Sequence, residues 1–346
     1  MKLVMTLLVR DEADIVDAQI AFHLDSGVDF VVATDNRSQD ETTEILERYA
    51  RDGVLHLIRE PGDDLRQSEW VTRMARLAAT DFGADWVLNA DADEFWLARG
   101  GSLKDVLAVV PGRFGVVRGA WRNFVPRPDD DRFFAERMTA RLCTPSFHPH
   151  PLSTHFKSAH RGHAGVRIGR GNHEAFADGG LVSLRGWYPI EILHFPVRSY
   201  EHCLRKYVTQ FVALERNAEK GIPGHMAEAY EAYRAGELDA FYAPLVVDDD
   251  ALERGLADGT YAIDTRLRDA LRSLGFGASG EVARDRGEQR AVIEDATLFA
   301  AEYSALAEAD LGASVGARVD ALEERLGRIE QGPGASVRRL AGSFRR

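Results

Sequence analysis

The apolar segment Trp86-Val87-Leu88, running on into Asp91-Ala92-Asp93-Glu94-Phe95-Trp96, limits the fold of this chain more than any other feature. It reads as a buried strand that ends in a cluster of carboxylates. Acids at i and i+2 of an extended backbone project to one side, so Asp91 and Asp93 approach a common cation. At a strand end they meet solvent and ligand rather than core. Carboxylates are hard oxygen donors suited to Mg²⁺ or Mn²⁺, ions that usually reach protein sites together with substrate phosphates. The competing reading is a turn with solvated acids; the preceding strand and the following Glu-Phe-Trp favour the metal.

The N-terminal third supplies the surroundings. Leu3-Val4-Met5-Thr6-Leu7-Leu8-Val9 is a nearly continuous apolar run, too short for a membrane span and shaped like a central parallel strand. Two more strands are expected over 28–34 and 54–58. Helices are expected after Arg10-Asp11-Glu12, where Ile15, Ile20, Phe22 and Leu24 are apolar, over 41–49 with Asp40 as N-cap, and over 69–80. Strands alternating with helices at this spacing predict an α/β fold, a mostly parallel central sheet flanked by helices. Ligands bind such sheets at the carboxyl ends of the strands. Arg10, Asp35 and Asp91 all stand at such ends, so one site gathers them.

Residues 1–96 resemble the nucleotide-sugar-binding half of the family 2-like glycosyltransferases with a GT-A fold. The matching segments are the opening strand with Arg10-Asp11-Glu12, the run Asp35-Asn36-Arg37-Ser38-Gln39-Asp40-Glu41-Thr42, and Asp91-Ala92-Asp93-Glu94-Phe95. The second departs from the commoner Asp-Asp-Gly-Ser-x-Asp-Gly-Thr, yet keeps an acid, a Ser, a later Asp and a Thr at matching offsets. The third looks like that of a subgroup with an Asp-x-Asp-Glu-Phe motif. A looser resemblance continues through His194-Phe195-Pro196-Val197-Arg198-Ser199-Tyr200 and the helix carrying Lys206.

The resemblance implies a GT-A-like fold with a helical C-terminal extension. It implies transfer of a sugar from a nucleotide diphosphate donor to a glycan or lipid-linked hydroxyl acceptor, with Mn²⁺ or Mg²⁺ and with inversion. Position by position, Asp35 accepts hydrogen bonds from the base or ribose, Asp91 lies near the ribose and metal, and Asp93 binds the cation bridging the diphosphate. Arg10 joins the donor-binding set. Arg73 faces the base or diphosphate, with a solvated helix face as the alternative. A late His returns to the cation: His194 is the choice, because Ile190-Glu191-Ile192-Leu193 reads as a strand delivering it, and His173 is the alternative. The implied base is Glu174, with Glu94 and Glu191 as alternatives; Asn172-His173-Glu174 lacks the family's usual Glu-Asp pair.

The chemistry is coherent without the family. A nucleoside diphosphate develops charge as it leaves, and a divalent cation with fixed cationic donors stabilises that charge. Lys157 and Arg198, both in the histidine-rich middle of the chain, are candidates to share it. An inverting transfer also needs a base for the acceptor hydroxyl. The middle region holds His148, His150, His155, His160, His163 and His173. Their spacings match no standard zinc pattern, and Cys143 and Cys203 are the two thiols. Trp121, Trp187 and Tyr188 are candidates for sugar stacking or for core packing.

Composition sets the outer bounds. At 346 residues the chain reads as a catalytic domain over 1–200 (donor half 1–112, acceptor half 113–200), a helical extension over 201–312, and an amphipathic helix with a basic tail over 313–346. A formal net charge of −12 argues against a nucleic-acid binder. Two cysteines fit a reducing compartment, and the first apolar run lacks a signal-peptide cleavage site, so a cytoplasmic location is expected. Residues 201–220 and 261–274 are expected to be helical, with Asp248-Asp249-Asp250 as a helix cap. Val315, Val319, Leu322, Leu326 and Ile329 form a short heptad seam, which fits either a lone amphipathic helix or a homo-oligomer contact. The four Arg of residues 337–346 suit peripheral contact with an anionic inner membrane face, against a frayed end as the alternative. Two other functions compete: a metal-dependent nucleotidyltransferase, disfavoured by the lack of an early Gly-rich phosphate loop, and a catalytically silent carbohydrate-binding or scaffold protein, disfavoured by intact Asp91 and Asp93.

Overall fold

Alternation along the first strand organises the core. In β1 (Leu3–Val9), Leu3, Met5, Leu7 and Val9 point into one apolar cluster with Ile15, Val16 and Ile20, whereas Val4 points into a second with Val71, Met74 and Ala75. A strand buried on both faces must be apolar throughout, which is why this run does not alternate in polarity. The computed structural model describes residues 1–62, 66–99, 101–143, 156–216 and 224–277. The heptad seam, the basic tail, His148, His150 and His155 lie outside the described residues.

The remaining strands are β2 (Phe30–Asp35), β3 (Leu55–Arg59), β4 (Trp86–Asp91), β5 (Glu94–Ala98), β6 (Val116–Asn123), β7 (Ala140–Leu142), β8 (Phe156–Arg161), β9 (Arg167–Ile168), β10 (Ala175–Phe176), β11 (Ile190–His194) and β12 (Tyr261–Ile263). Eight form one sheet in the order β3-β2-β1-β4-β8-β6-β11-β5, while β9/β10 and β7/β12 form two-stranded sheets. Four of the large sheet's neighbouring pairs are parallel (β3/β2, β2/β1, β1/β4, β6/β11) and three are antiparallel. Helices α1 (Val16–Asp25), α2 (Thr42–Arg51) and α3 (Gln67–Thr80) connect the first four strands. The expected α/β architecture, a mostly parallel sheet flanked by helices, is the one observed.

Two features of this topology place a site. The chain runs from β1 outward through β2 to β3, then returns to β4 on the other side of β1. The switch point therefore opens between the carboxyl ends of β1 and β4, where open α/β sheets bind ligands. Secondly, β5 begins three Cα steps after β4 ends, a reach of at most about 11 Å. In the sheet order the two strands are four spacings apart, about 19 Å if the sheet were flat. The sheet must curl, bringing β11 and β5 back towards the end of β4.

Further along lie α4 (Leu103–Ala108), α5 (Phe134–Arg137), α6 (Tyr200–Cys203), a π-helical turn (Leu204–Thr209), α7 (Gln210–Arg216), α8 (Gly224–Ala235), α9 (Leu238–Tyr242), α10 (Asp249–Asp258) and α11 (Arg266–Ser273). Val197, Cys203, Tyr207, Met226 and Leu245 make a satellite core, while Leu267 and Leu271 of α11 join the main one. Two expected helices are corrected. The helix expected from 201 is interrupted by the π turn, a geometry that recurs at functional sites. The helix expected from 261 starts at Arg266, because Tyr261–Ile263 pairs instead with the otherwise open edge of β7. Asp248 caps α10 as expected, accepting from the Ala251 N–H at 2.7 Å. Asp40 lies one residue ahead of the α2 cap and accepts from the N–H groups of Thr42 and Ala13, tying the β1 and β2 loops together. No helix among the described residues is long and apolar enough to cross a membrane.

Glu191 in β11 anchors the curled half. Its carboxylate accepts from Arg122 Nε at 2.7 Å, Arg99 Nη2 at 2.8 Å and Arg266 Nη1 at 2.7 Å. Burial opposes its ionisation, yet Arg122, Arg266 and Arg99 hold it well below the usual carboxylate range. Glu191→Leu should lower stability by about 3–5 kcal/mol, because three guanidiniums lose their shared counter-charge. Urea denaturation checks this; an unchanged midpoint would refute the anchoring role.

Candidate functional site

The acidic motif is the tight connection from β4 to β5; Asp91 and Glu94 converge on Lys157, and Asp93 turns to Lys206. Asp91 accepts from Lys157 Nζ at 2.5 Å and Asn172 Nδ2 at 3.1 Å. Glu94 is fully buried; its Oε1 accepts from Trp121 Nε1 at 2.8 Å and lies 2.9 Å from Lys157 Nζ, and its Oε2 accepts from the Asp91 N–H at 3.1 Å. Burial, with Asp91 and Asp93 close by, pushes the Glu94 carboxyl up to about 8 against the pull of Lys157. Asp93 faces the other way, with Oδ2 2.5 Å from Lys206 Nζ and 3.6 Å from His194 Nε2. Burial works against its charge, but the Lys206 ammonium holds its carboxyl well below the usual range.

Strand register delivers His194. It pairs across β11/β5 with Glu94 and across β11/β6 with Asn123. Its Nδ1 lies 2.7 Å from Asn123 Oδ1, an acceptor, so Nδ1 carries the proton and Nε2 presents a lone pair towards Asp93. Burial lowers the His194 pKa despite the attraction of Asp93, which favours the neutral ring. Trp121 stacks on the imidazole with centroids 4.0 Å apart and planes at 19°. Ligand atoms of Asp93, Glu94 and His194 thus lie within 4.8 Å of one another. Nitrogen NMR at neutral pH should find His194 protonated at Nδ1 and bare at Nε2; the opposite tautomer would refute this geometry.

The β1 loop closes the site's other side through ion pairs. Arg198, just before α6, is buried and donates to Asp14 Oδ2 at 2.6 Å, Asp14 Oδ1 at 2.8 Å and Glu12 Oε2 at 2.5 Å. Burial pushes Glu12 up to about 7, whereas Arg198 overcomes burial at Asp14 and holds it down at about 2. Asp35, at the end of β2, accepts from the Ser38 N–H and hydroxyl and from the Thr43 hydroxyl, which fixes the carboxylate in its turn. Asp11, at φ 56°, accepts from the Gln39 N–H and so binds the β1 and β2 loops together.

The other expected residues fall in three places. Lys157 is buried between Asp91 and Glu94, which together raise its pKa against the effect of burial. Arg10 lies at the end of β1, 3.8 Å from Asp11. Arg73 pairs with Glu60 at 2.9 Å beside β3, the edge strand farthest from β5. Glu174 forms an ion pair with buried Arg118, two residues beyond the Asn172 that holds Asp91. Burial raises the Glu174 pKa against Arg118. Neighbouring His173 packs edge-on to Trp121 and lies 2.6 Å from the Phe156 carbonyl oxygen. Tyr188 stacks on Phe156, and Trp187 is exposed.

The sequence reading omits Lys206, Asn123 and Asn172 from the site; Arg198, a candidate to share the diphosphate charge, is paired with Glu12 and Asp14 in the structure. The looser resemblance that runs through residues 194–200 into the helix carrying Lys206 is the sequence signal for that residue. The asparagines gave none.

No protein-family model matches this chain, and no curated protein matches it. Among solved structures, it is similar to S. aureus TarS 1-349 in complex with UDP (13% identity, TM-score 0.35, covering 77% of this chain and 97% of that one). It is similar to the same TarS in complex with UDP-GlcNAc (13%, TM-score 0.38, 71% and 84%). It is also similar to the mannosyltransferase PcManGT from Pyrobaculum calidifontis in complex with GDP-Man and Mn²⁺ (17%, TM-score 0.34, 90% and 86%). At these identities and scores the likenesses assign no activity.

Proposed function

We propose that this chain is a GT-A-like glycosyltransferase that moves a sugar from a nucleotide diphosphate donor to a hydroxyl acceptor, with a divalent cation and with inversion. The observation that carries this reading is the meeting of Asp93, Glu94 and His194 beside the β1/β4 switch point. The Asp93 carboxylate and a neutral imidazole, oriented through its other nitrogen by Asn123, suit Mn²⁺ or Mg²⁺, and Glu94 would join them on losing its proton. Asp91 stands next to this set, oriented by Lys157 and Asn172. When bound, such a cation stabilises the charge of the leaving diphosphate.

The chain's own residues do the rest. Asp35, rigidly held, accepts from the base or ribose; Arg10 and Arg73 supply cationic donors along the nucleotide side. Lys157 keeps Asp91 and Glu94 in place. Glu174 takes the proton of the acceptor hydroxyl, and a raised pKa makes its carboxylate the more basic. Residues 1–200 form the catalytic domain in this reading, and a cytosolic donor with a glycan or lipid-linked acceptor fits it.

Release of nucleoside diphosphate from a panel of sugar nucleotides, with Mn²⁺ and acceptor, tests the proposal. Asp93→Asn should cut turnover by about 10³-fold, the several kcal/mol a metal site supplies, with the fold retained by circular dichroism. Undiminished turnover would remove the metal from the reading. Glu174→Gln should lower kcat by about 10²–10⁴-fold with little change in donor KM. Wild-type kcat should rise with pH through the Glu174 ionisation, which burial places above the ordinary carboxylate range. An unchanged acidic limb in the Gln variant would move the base elsewhere.

A further inference from the structure

The two ammonium groups beside the acidic turn are held differently. Lys157 lies within β8, its side chain 1% exposed, bonded to both Asp91 and Glu94 and 5.4 Å from the Trp121 ring centre. Lys206 sits on the π-helical turn with its side chain 18% exposed, bonded to Asp93 Oδ2 and, at 3.0 Å, to the Pro196 carbonyl. The Asp93 oxygen it holds is the one that faces His194 Nε2. An ammonium on that oxygen would repel a divalent cation held by Asp93 and His194 and would compete with it for the same lone pairs. Of the other cations on this segment, Arg198 is already committed to Glu12 and Asp14, and Arg205 pairs with Glu201. Lys206 is thus the cation that must yield, and its partial exposure gives it somewhere to go.

We propose that Lys206 is an exchangeable counter-ion: it neutralises Asp93 until a divalent cation arrives with a diphosphate, then transfers its ammonium to the diphosphate oxygens. This rests on the metal and donor reading given above. The cation alone displaces the bonded ammonium into water, where it gains no counter-charge. The cation and diphosphate together give the ammonium a new partner, so they bind cooperatively.

Mn²⁺ binding followed by electron paramagnetic resonance, with and without UDP or GDP, tests this in wild type, Lys206→Met and Lys206→Arg. Lys206→Met should bind free Mn²⁺ about tenfold more tightly than wild type and bind nucleotide at saturating Mn²⁺ about tenfold more weakly, losing most of the coupling. Lys206→Arg, which keeps the charge, should bind free Mn²⁺ as weakly as wild type and retain coupling. Equal free-Mn²⁺ affinity in wild type and Lys206→Met, with normal Mn²⁺–nucleotide binding, would overturn the role of Lys206 alone. Failure of every variant to bind Mn²⁺, even with nucleotide, would overturn it together with the metal reading.

Discussion

The site depends on the shortness of the link between β4 and β5. Ala92 and Asp93 are the sole residues between two strands that lie four places apart in the sheet. That link permits only a curled sheet, and curling carries β11 and β6 to the carboxyl end of β4. His194 then meets Asp93, Trp121 meets Glu94, and Asn123 meets His194. The Phe195 N–H donates to the Asp93 carbonyl at 2.9 Å, continuing the β11/β5 ladder through the turn. A longer loop would let β5 pair without bringing these side chains together.

Charge is the second constraint. Five acids at the site (Glu12, Asp14, Asp91, Asp93 and Glu94) bond to three cations from distant parts of the chain: Arg198, Lys157 and Lys206. Buried carboxylates such as Asp93 and Glu94 are tolerated when paired and hydrogen-bonded, and each of the five acids has at least one such partner. The pairs also fasten the β1 loop to the start of α6 and the β4 turn to β8. The same interactions that make the acids tolerable tie these segments together around the acidic turn. Glu191 and its arginines act likewise at a distance from this crevice, between the sheet and α11.

Most of the architecture is legible in the sequence because it follows from local periodicity. β1 is expected and found at Leu3–Val9, and β2, β3 and β4 lie within a residue or two of their expected positions. Strand-end acids are visible for the same reason. Partnerships across long sequence separations are not: Arg198 with Asp14, Lys206 with Asp93 and Asn172 with Asp91 are set by tertiary closure. The π turn was illegible too, since Leu204, Tyr207 and Phe211 satisfy an α-helical stripe equally well, and the strand at Tyr261–Ile263 depends on a partner edge over a hundred residues away. Asp91 and Glu94 show the limit at side-chain level. Spacing places Asp91 and Asp93 on one face, but the tight turn brings Asp93 and Glu94 within reach of His194 instead.

The central claim is that the crevice between β1 and β4 binds a nucleoside diphosphate together with a divalent cation. Thermal unfolding with UDP, GDP, ADP, CDP and their sugar derivatives, each with and without Mn²⁺, measures this most directly, since a ligand that binds only the folded state raises its stability. The account predicts a rise in melting temperature that is confined to one nucleotide series and depends on Mn²⁺. No shift with any nucleotide, in the presence or absence of Mn²⁺, would contradict it.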